Sequence, residues 1–367
     1  MAITASMVKE LRDMTGAGMM DCKKALVETD GNIEAAVDLL KEKGLAKAAK
    51  KAGRVAAMGL VKTAVAADEK TAAIVEVNSE TDFVAKNDEF VGFVETLAQM
   101  ALENEAADMN AFMALPYGEE GTVQDVLTSK IATIGENMSI RRFEKVAGEA
   151  VVSYIHGGRI GAIVAGNVEA TEEVKTALTN VAMQVAAMNP QYVSRDEISE
   201  EELAKMHDIT LESALNDPFT LPKPILNALL DKAVDGVWNE EDTAILAEKR
   251  ADKGFNFNYL PNFLSEDAKQ KLAGLAVADK ANIADNKIFT GLVAGRVSKQ
   301  LKDICLMDQT YVRAEDGKQT VSQYLATVNK DLALVKVVRF EVGEGIEKKE
   351  EDFAAEVAAQ QAAAASK

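Results

Sequence analysis

The stretch AIVEVN at residues 73–78 recurs later in the chain as AIVAGN at residues 162–167. Both are short apolar runs rich in β-branched residues, which is the pattern of buried strands. Apolar residues at helical spacing follow each copy, over residues 89–102 and 173–188, and they predict an amphipathic helix in each place. A strand and a helix repeated in this way predict two related α+β subdomains.

The two copies differ in the segment that joins the strand to the helix. This segment has ten residues in the first copy, 79–88, and five in the second, 168–172. The extra length contains the sequence TDFVAK, in which Phe83 follows a carboxylate at the junction. Packing symmetry does not require an apolar side chain there. Two interpretations are open at this point: Phe83 folds back onto the core, or it protrudes as a wedge.

Residues 1–54 form a separate module. Apolar residues at helical spacing predict three short amphipathic helices, with Asn32 as a helix N-cap and Gly44 as a helix stop. The module carries ten basic and eight acidic residues, whereas the whole chain carries 41 basic and 59 acidic ones. Its last part, residues 41–54, has six basic residues and one acidic residue, and it is either a solvated linker helix or a functional joint to the core.

The remaining boundaries follow from changes in composition. We expect one core subdomain at 55–147, a second at 148–340 and a C-terminal module at 341–367. Residues 216–285 look like a mainly helical insertion in the second subdomain, because they hold four of the six prolines, the only tryptophan and a cluster of aromatic residues. The tail is Ala-rich and is either a docked helix or a frayed one.

Length and composition exclude several classes of protein. The 367 residues allow about two or three domains. A net charge of −18 opposes binding to a phosphate backbone, so we expect no direct contact with nucleic acid. Two cysteines suit a reducing compartment, and no signal peptide or run of 18 apolar residues is seen, so a cytoplasmic location away from membranes is expected.

Signatures of enzyme chemistry are not found. There are two histidines, no P-loop and no paired carboxylate motif, so we expect no catalytic residues, no cofactor and no metal site. Cys22 precedes two lysines, which could activate its thiol, although a half-buried helical cysteine is the simpler interpretation.

Five blocks of sequence, in one order, resemble the bacterial elongation factor Ts family. They lie at residues 15–26, 81–86, 135–142, 153–157 and 339–347. The resemblance runs along nearly the whole chain apart from 216–285. It implies a ubiquitin-associated-like three-helix domain at the N-terminus, a core of two related α+β subdomains and a C-terminal helical module. It also implies a guanine nucleotide exchange factor for elongation factor Tu, the GTPase that delivers aminoacyl-tRNA to the ribosome.

The resemblance assigns roles to residues of this chain. It implies a loop that enters the G domain of the partner and disturbs the elements holding Mg²⁺ and the GDP phosphates. The residues implied to form this loop are Thr81, Asp82, Phe83 and Val84. Further contacts to elongation factor Tu are implied for Arg12, Met19, Met20, Lys23, Ile140, His156, Phe353 and Val357. On residue pattern alone, Met19 and Met20 could instead fill the core of the small bundle, and His156 could have a structural hydrogen-bonding role.

Two functions remain as hypotheses. The first is exchange of guanine nucleotide on elongation factor Tu, in its GDP-bound and nucleotide-free states, without covalent chemistry. The alternative is a non-catalytic helical adaptor or chaperone-like binding protein, which has no use for the loop at Asp82 and Phe83. A homodimer is possible, but dimerisation through the second subdomain does not carry over, because residues 216–285 alter that region.

Overall fold

The computed structural model describes residues 3–347, and these divide into two compact units. One unit contains the chain up to Asn189 together with the chain from Tyr324 onward, and the other is Pro190–Gln323. Phe353 and Val357, two of the predicted contact residues, lie outside the described residues. Within the described part of the chain, no helix combines the length and apolar character needed to span a bilayer.

The chain begins with the predicted three-helix bundle, α1 (Ala5–Thr15), α2 (Met19–Glu28) and α3 (Ile33–Lys51). Its small core contains Leu11, Cys22 and Leu26, all without solvent exposure. The thiol of Cys22 therefore packs inside the bundle, as the simpler interpretation has it. Asn32 caps α3 as predicted, since its side chain accepts a hydrogen bond from the amide of Ala35 at 3.1 Å.

An antiparallel sheet and four helices follow the bundle. The strands, in the order β1-β2-β3, are β1 (Met58–Val65), β2 (Thr71–Ser79) and β3 (Met138–Ala147). The helices between β2 and β3 are α4 (Asp82–Ala85), α5 (Asp88–Glu103), α6 (Met109–Met113) and α7 (Val123–Ile134). α5 packs on β1 and β2 and covers one face of the sheet.

A second antiparallel sheet has the same plan. Its strands, in the order β4-β5-β6, are β4 (Ala150–His156), β5 (Ile160–Gly166) and β6 (Leu334–Glu341), and α8 (Glu172–Met188) packs on β4 and β5. The repeated sequences lie on β2 and β5, which are the central strands of the two sheets. The predicted α+β class and the strand-to-helix repeat are therefore confirmed.

The two sheets pack face to face. Along β2, Ala73 and Val75 belong to the cluster beneath α5, whereas Ile74 belongs to the cluster shared with Ile163 of β5. This is the alternation of a strand buried on both faces. The sheets approach each other closely at Gly161, where an added Cβ would lie 2.5 Å from a methyl group of Val61, so only glycine fits there.

Residues Pro190–Gln323 form a helical unit with its own core. Its helices are α9 (Glu200–Asn216), α10 (Lys223–Val234), α11 (Glu240–Ala251), α12 (Glu266–Ala278), α13 (Lys280–Ala284) and α14 (Lys287–Ile304), after which α15 (Val321–Val328) leads to β6. The unit extends past both ends of the predicted insertion at 216–285. The reason is that α9 and α14 bury apolar residues, such as Leu215 and Phe289, in the same core.

The prediction that Gly44 ends a helix is wrong. α3 continues to Lys51 and includes most of the basic segment 41–54. Gly44 is buried inside the helix, and a Cβ added there would lie 3.6 Å from the Cβ of Ala132 on α7. Such a Cβ would make only an ordinary van der Waals contact, so the packing does not require glycine here. The packing of α3 on α7 carries the helix through a residue of low helix propensity.

Candidate functional site

The loop that distinguishes the first copy of the repeat is built around Thr81. Its hydroxyl accepts a hydrogen bond from the amide of Val84 at 3.4 Å and so caps the short helix α4. The same hydroxyl donates to Glu136 Oε1 at 2.7 Å, and the Thr81 amide donates to Glu136 Oε2 at 3.0 Å. One carboxylate therefore holds both the backbone and the side chain at the start of the loop.

A second set of bonds braces the neighbouring residues. The Asn137 amide donates to Glu80 Oε1 at 2.5 Å, and the Asn137 side chain donates to the carbonyl of Arg54 at 2.7 Å. Gly135, with φ of 90°, ends α7 in the left-handed conformation and turns the chain toward this contact. The block 135–137, for which the sequence offered no role, therefore supports the loop at 80–84.

Phe83 projects from this braced loop into solvent. Its exposure is 81%, whereas Val84 and Ala85 beside it are buried. The structure therefore decides between the two interpretations of Phe83, since it does not fold back onto the core. Of the four predicted loop residues, Thr81 and Val84 anchor the loop, and Asp82 and Phe83 are presented to solvent.

Asp82 lies at the start of α4 and pairs with Lys86 one turn later, with 2.7 Å between Asp82 Oδ2 and Lys86 Nζ. The hydrogen bond from this ammonium lowers the pKa of the Asp82 carboxyl below its ordinary value. The exposed tip of the loop thus combines a carboxylate that stays ionised with an aromatic ring.

His156 lies at the end of β4 and is exposed, with Nδ1 3.1 Å from the hydroxyl of Tyr154. The turn after it rests against β1, because the Val61 amide donates to the carbonyl of Gly158 at 2.8 Å. α4 also packs on β1. The loop at 81–84 and the turn at His156 are therefore supported by one strand, and the imidazole has both a hydrogen-bond partner and access to solvent.

The N-terminal bundle presents a separate surface. Met19 and Met20 are 55% and 64% exposed, so they do not fill the core of the bundle. Arg12 and Lys23 are exposed as well. The exposed surface of the bundle therefore carries two soft apolar side chains together with basic ones.

Ile140 does not fit its predicted role as a partner contact. It lies on β3 with 6% exposure and packs in the cluster under α5. Alternation along a strand places neighbouring residues on opposite faces, and the sequence alone does not say which face is covered.

Glu76 is a structural centre that no sequence pattern singled out. This carboxylate is fully buried and accepts hydrogen bonds from Arg141 Nη1 at 3.1 Å, Arg142 Nε at 2.6 Å and the Gly343 amide at 2.8 Å. It joins two of the sequence blocks, those around 140–142 and 339–347. A charged residue within an apolar strand was the available signal.

Among residues 3–347, no three His, Cys, Asp or Glu side chains are grouped so that they could hold a metal ion.

Comparison with known proteins identifies the family. The sequence model of the family described as Elongation factor TS matches residues 80–249 and 259–344, and that of the UBA/TS-N domain matches residues 3–40. The chain is 44% identical over 363 residues to Elongation factor Ts of Clostridioides difficile (strain 630), covering 98% of each protein. It is 43% identical over 365 residues to Elongation factor Ts of Clostridium tetani, covering 97% of this chain and 98% of the relative.

The chain belongs to the elongation factor Ts family. Its N-terminal bundle is the UBA/TS-N domain of that family. The family acts with elongation factor Tu in translation elongation as its nucleotide exchange factor, not as a covalent catalyst. The matched ranges include most of residues 216–285, which the resemblance was expected to leave out.

Proposed function

We propose that this chain promotes GDP release from elongation factor Tu by inserting Asp82 and Phe83 beside the nucleotide site of the GTPase. The observation that carries the proposal is the 81% exposure of Phe83 on a loop whose base is fixed by Glu136. An exposed aromatic ring costs solvation free energy in the free protein, and binding in a pocket of a partner recovers it.

The bracing of the loop favours this function. A protruding loop can displace parts of its partner only if its own backbone stays in place. The backbone here is fixed, because Thr81 is held through both its amide and its hydroxyl. Val84 on the other side of Phe83 is buried in the core. The ring is thus presented by fixed backbone, and little conformational entropy is lost on binding.

The chemistry requires no covalent step. Mg²⁺ demands a near-ideal octahedron of oxygen ligands, so a displacement of its supports by Phe83 or Asp82 weakens nucleotide binding. If this chain binds nucleotide-free partner more tightly than GDP-bound partner, GDP binds the complex more weakly by the same factor. Each tenfold difference corresponds to about 1.4 kcal/mol.

A second contact is proposed for the UBA/TS-N domain. Met19, Met20, Lys23 and Arg12 lie on its exposed surface and can hold the partner while the loop acts. The exposed imidazole of His156, supported by the same strand as α4, is proposed as a further contact. In this proposal the bundle provides affinity for elongation factor Tu, and the loop promotes the release of GDP.

Stopped-flow release of a fluorescent GDP analogue from elongation factor Tu tests the proposal. We expect Phe83→Ala to reduce the acceleration about thirtyfold, equivalent to about 2 kcal/mol for an aromatic anchor. Phe263→Ala, the same change at an exposed ring of the helical unit, is the matched control and should leave the rate unchanged.

Acceleration that survives Phe83→Ala would remove the wedge mechanism while leaving the exchange function. No acceleration by the folded wild-type chain would overturn the exchange function and turn attention to the adaptor hypothesis.

A further inference from the structure

The chain after β6 is held in place by the buried Glu76. Gly343 follows β6 with φ of 74°, and its amide donates to Glu76 Oε1 at 2.8 Å. A Cβ added to Gly343 would lie 2.3 Å from the carbonyl oxygen of Ala57, so the turn passes too close to the backbone to accept a side chain.

Two arginines also hold the next residue, Glu344. Arg141 Nη2 donates to the carbonyl of Glu344, and Arg142 Nη2 lies 3.0 Å from Glu344 Oε2. Both arginines also bind Glu76. The path of the chain at 343–344 is therefore fixed, and so is the point from which the following residues leave.

The chain after Glu344 runs along the wall of an apolar groove. A cavity of about 600 Å³ lies between α3, α7 and the beginning of β3, and Ile346 is part of its lining. The other apolar residues of the lining are Leu45, Ala48, Ala49, Ala52, Val55, Ala56, Leu127, Ile131 and Met138. Leu45 and Val55 are 58% and 43% exposed.

Several polar groups of the lining already have partners within the protein. The Thr128 hydroxyl donates to the carbonyl of Gln124, and the Asn137 side chain donates to the carbonyl of Arg54. The groove therefore offers mainly hydrophobic contact and suits an apolar segment better than a polar small molecule.

We propose that the C-terminal segment 348–367 of the same chain occupies this groove in the free protein, with Phe353 and Val357 as its anchors. These two residues are four apart and are flanked by alanines at 354, 355, 358 and 359. Such spacing puts both anchors on one face of a helix, and small neighbours allow close approach to a wall that is itself rich in alanine.

Charge and length support this occupant. The anchors are accompanied by acidic residues at 350, 351, 352 and 356. On the side of the groove, Arg54, which also pairs with Glu80 at 3.5 Å, belongs to the lining, and the Lys51 ammonium lies beside Gly135 at the end of α7. Phe353 lies six positions beyond Glu347, the last described residue. Six peptide steps span up to about 20 Å, so the first anchor reaches the groove without strain.

Hydrogen exchange of the full chain, without any partner, tests the docking. In Phe353→Asp/Val357→Asp we expect the amides of 45–52 and 127–131 to exchange about fivefold faster than in wild type, because the groove loses its cover. The matched control Phe353→Leu/Val357→Ile keeps the apolar anchors and should keep wild-type protection. Far-UV circular dichroism of both variants checks that the fold is retained.

Identical exchange in the two variants would overturn the proposal. So would protection that rises with protein concentration, which would mean that a second copy covers the groove. The measurement needs no GTPase and no nucleotide, so its outcome is independent of whether Phe83 drives exchange.

Discussion

The two copies of the strand-to-helix unit share their packing and differ in what joins strand to helix. β2 and β5 are the central strands of their sheets, and a helix covers each. In the second copy the chain passes directly to α8, which Thr171 caps through the amide of Val174. In the first copy Thr81 caps an additional short helix that exposes Phe83. The packing of the repeat thus does not depend on the joining loop, which is free to serve a partner.

The copies differ also within the strand, where Glu76 of the first corresponds to Ala165 of the second. Both residues are fully buried. Ala165 packs between the sheets as an apolar residue, whereas Glu76 collects two arginines and a backbone amide. A carboxylate in this position connects β3 with the chain that follows β6, and alanine cannot do so.

Replacing Glu76 by alanine, the residue at the matching position of β5, should have the largest effect on stability. Glu76→Ala leaves the Gly343 amide without its acceptor and removes the buried carboxylate that two arginines share, and we expect a loss of about 3 kcal/mol in the free energy of unfolding. Urea unfolding followed by circular dichroism measures the loss. Fluorescence of Trp238, which lies in the helical unit, follows that unit separately.

Glu144→Ala is the control for this prediction. Glu144 lies on the same sheet and pairs with Lys336 at 3.1 Å, but both side chains are partly exposed. Its removal should cost less than about 1 kcal/mol. Equal losses for the two variants would show that burial of Glu76 does not matter.

The caps of the two copies provide the next comparison. Thr81 and Thr171 both cap a helix, but only the Thr81 hydroxyl also donates to a carboxylate, Glu136. Thr171→Val should cost about 1 kcal/mol, and Thr81→Val should cost up to about 1 kcal/mol more. Hydrogen exchange of the amides at 82–86, compared with those at 172–176, measures the two local openings. If Thr81→Val has the smaller effect, the brace does not stabilise the loop.

Sequence patterns predicted the features that depend on near neighbours. The strand repeat, the three helices of the bundle and the cap at Asn32 all follow from local spacing. The bond from Gly343 to Glu76 joins residues 267 positions apart, and no local pattern indicates it. Gly44 and Ile140 were misjudged for the same reason, since their neighbours Ala132 and α5 are supplied by the tertiary fold.

The smallest expected effect concerns the charge at the tip of the loop. The Lys86 hydrogen bond lowers the pKa of Asp82, so the pair stabilises α4 at a pH above the ordinary Asp value, and this stabilisation is lost as the pH falls through the lowered pKa. Lys86→Met should move the pKa of Asp82 up toward its ordinary value, whereas Lys86→Arg should keep it low. An NMR titration of the Asp82 carboxyl reports both.

Because both side chains of this pair are well exposed, salt should weaken the pairing, and the pKa of Asp82 should rise with ionic strength. A pKa that stays low in Lys86→Met would assign the shift to the backbone amides at the start of α4 instead.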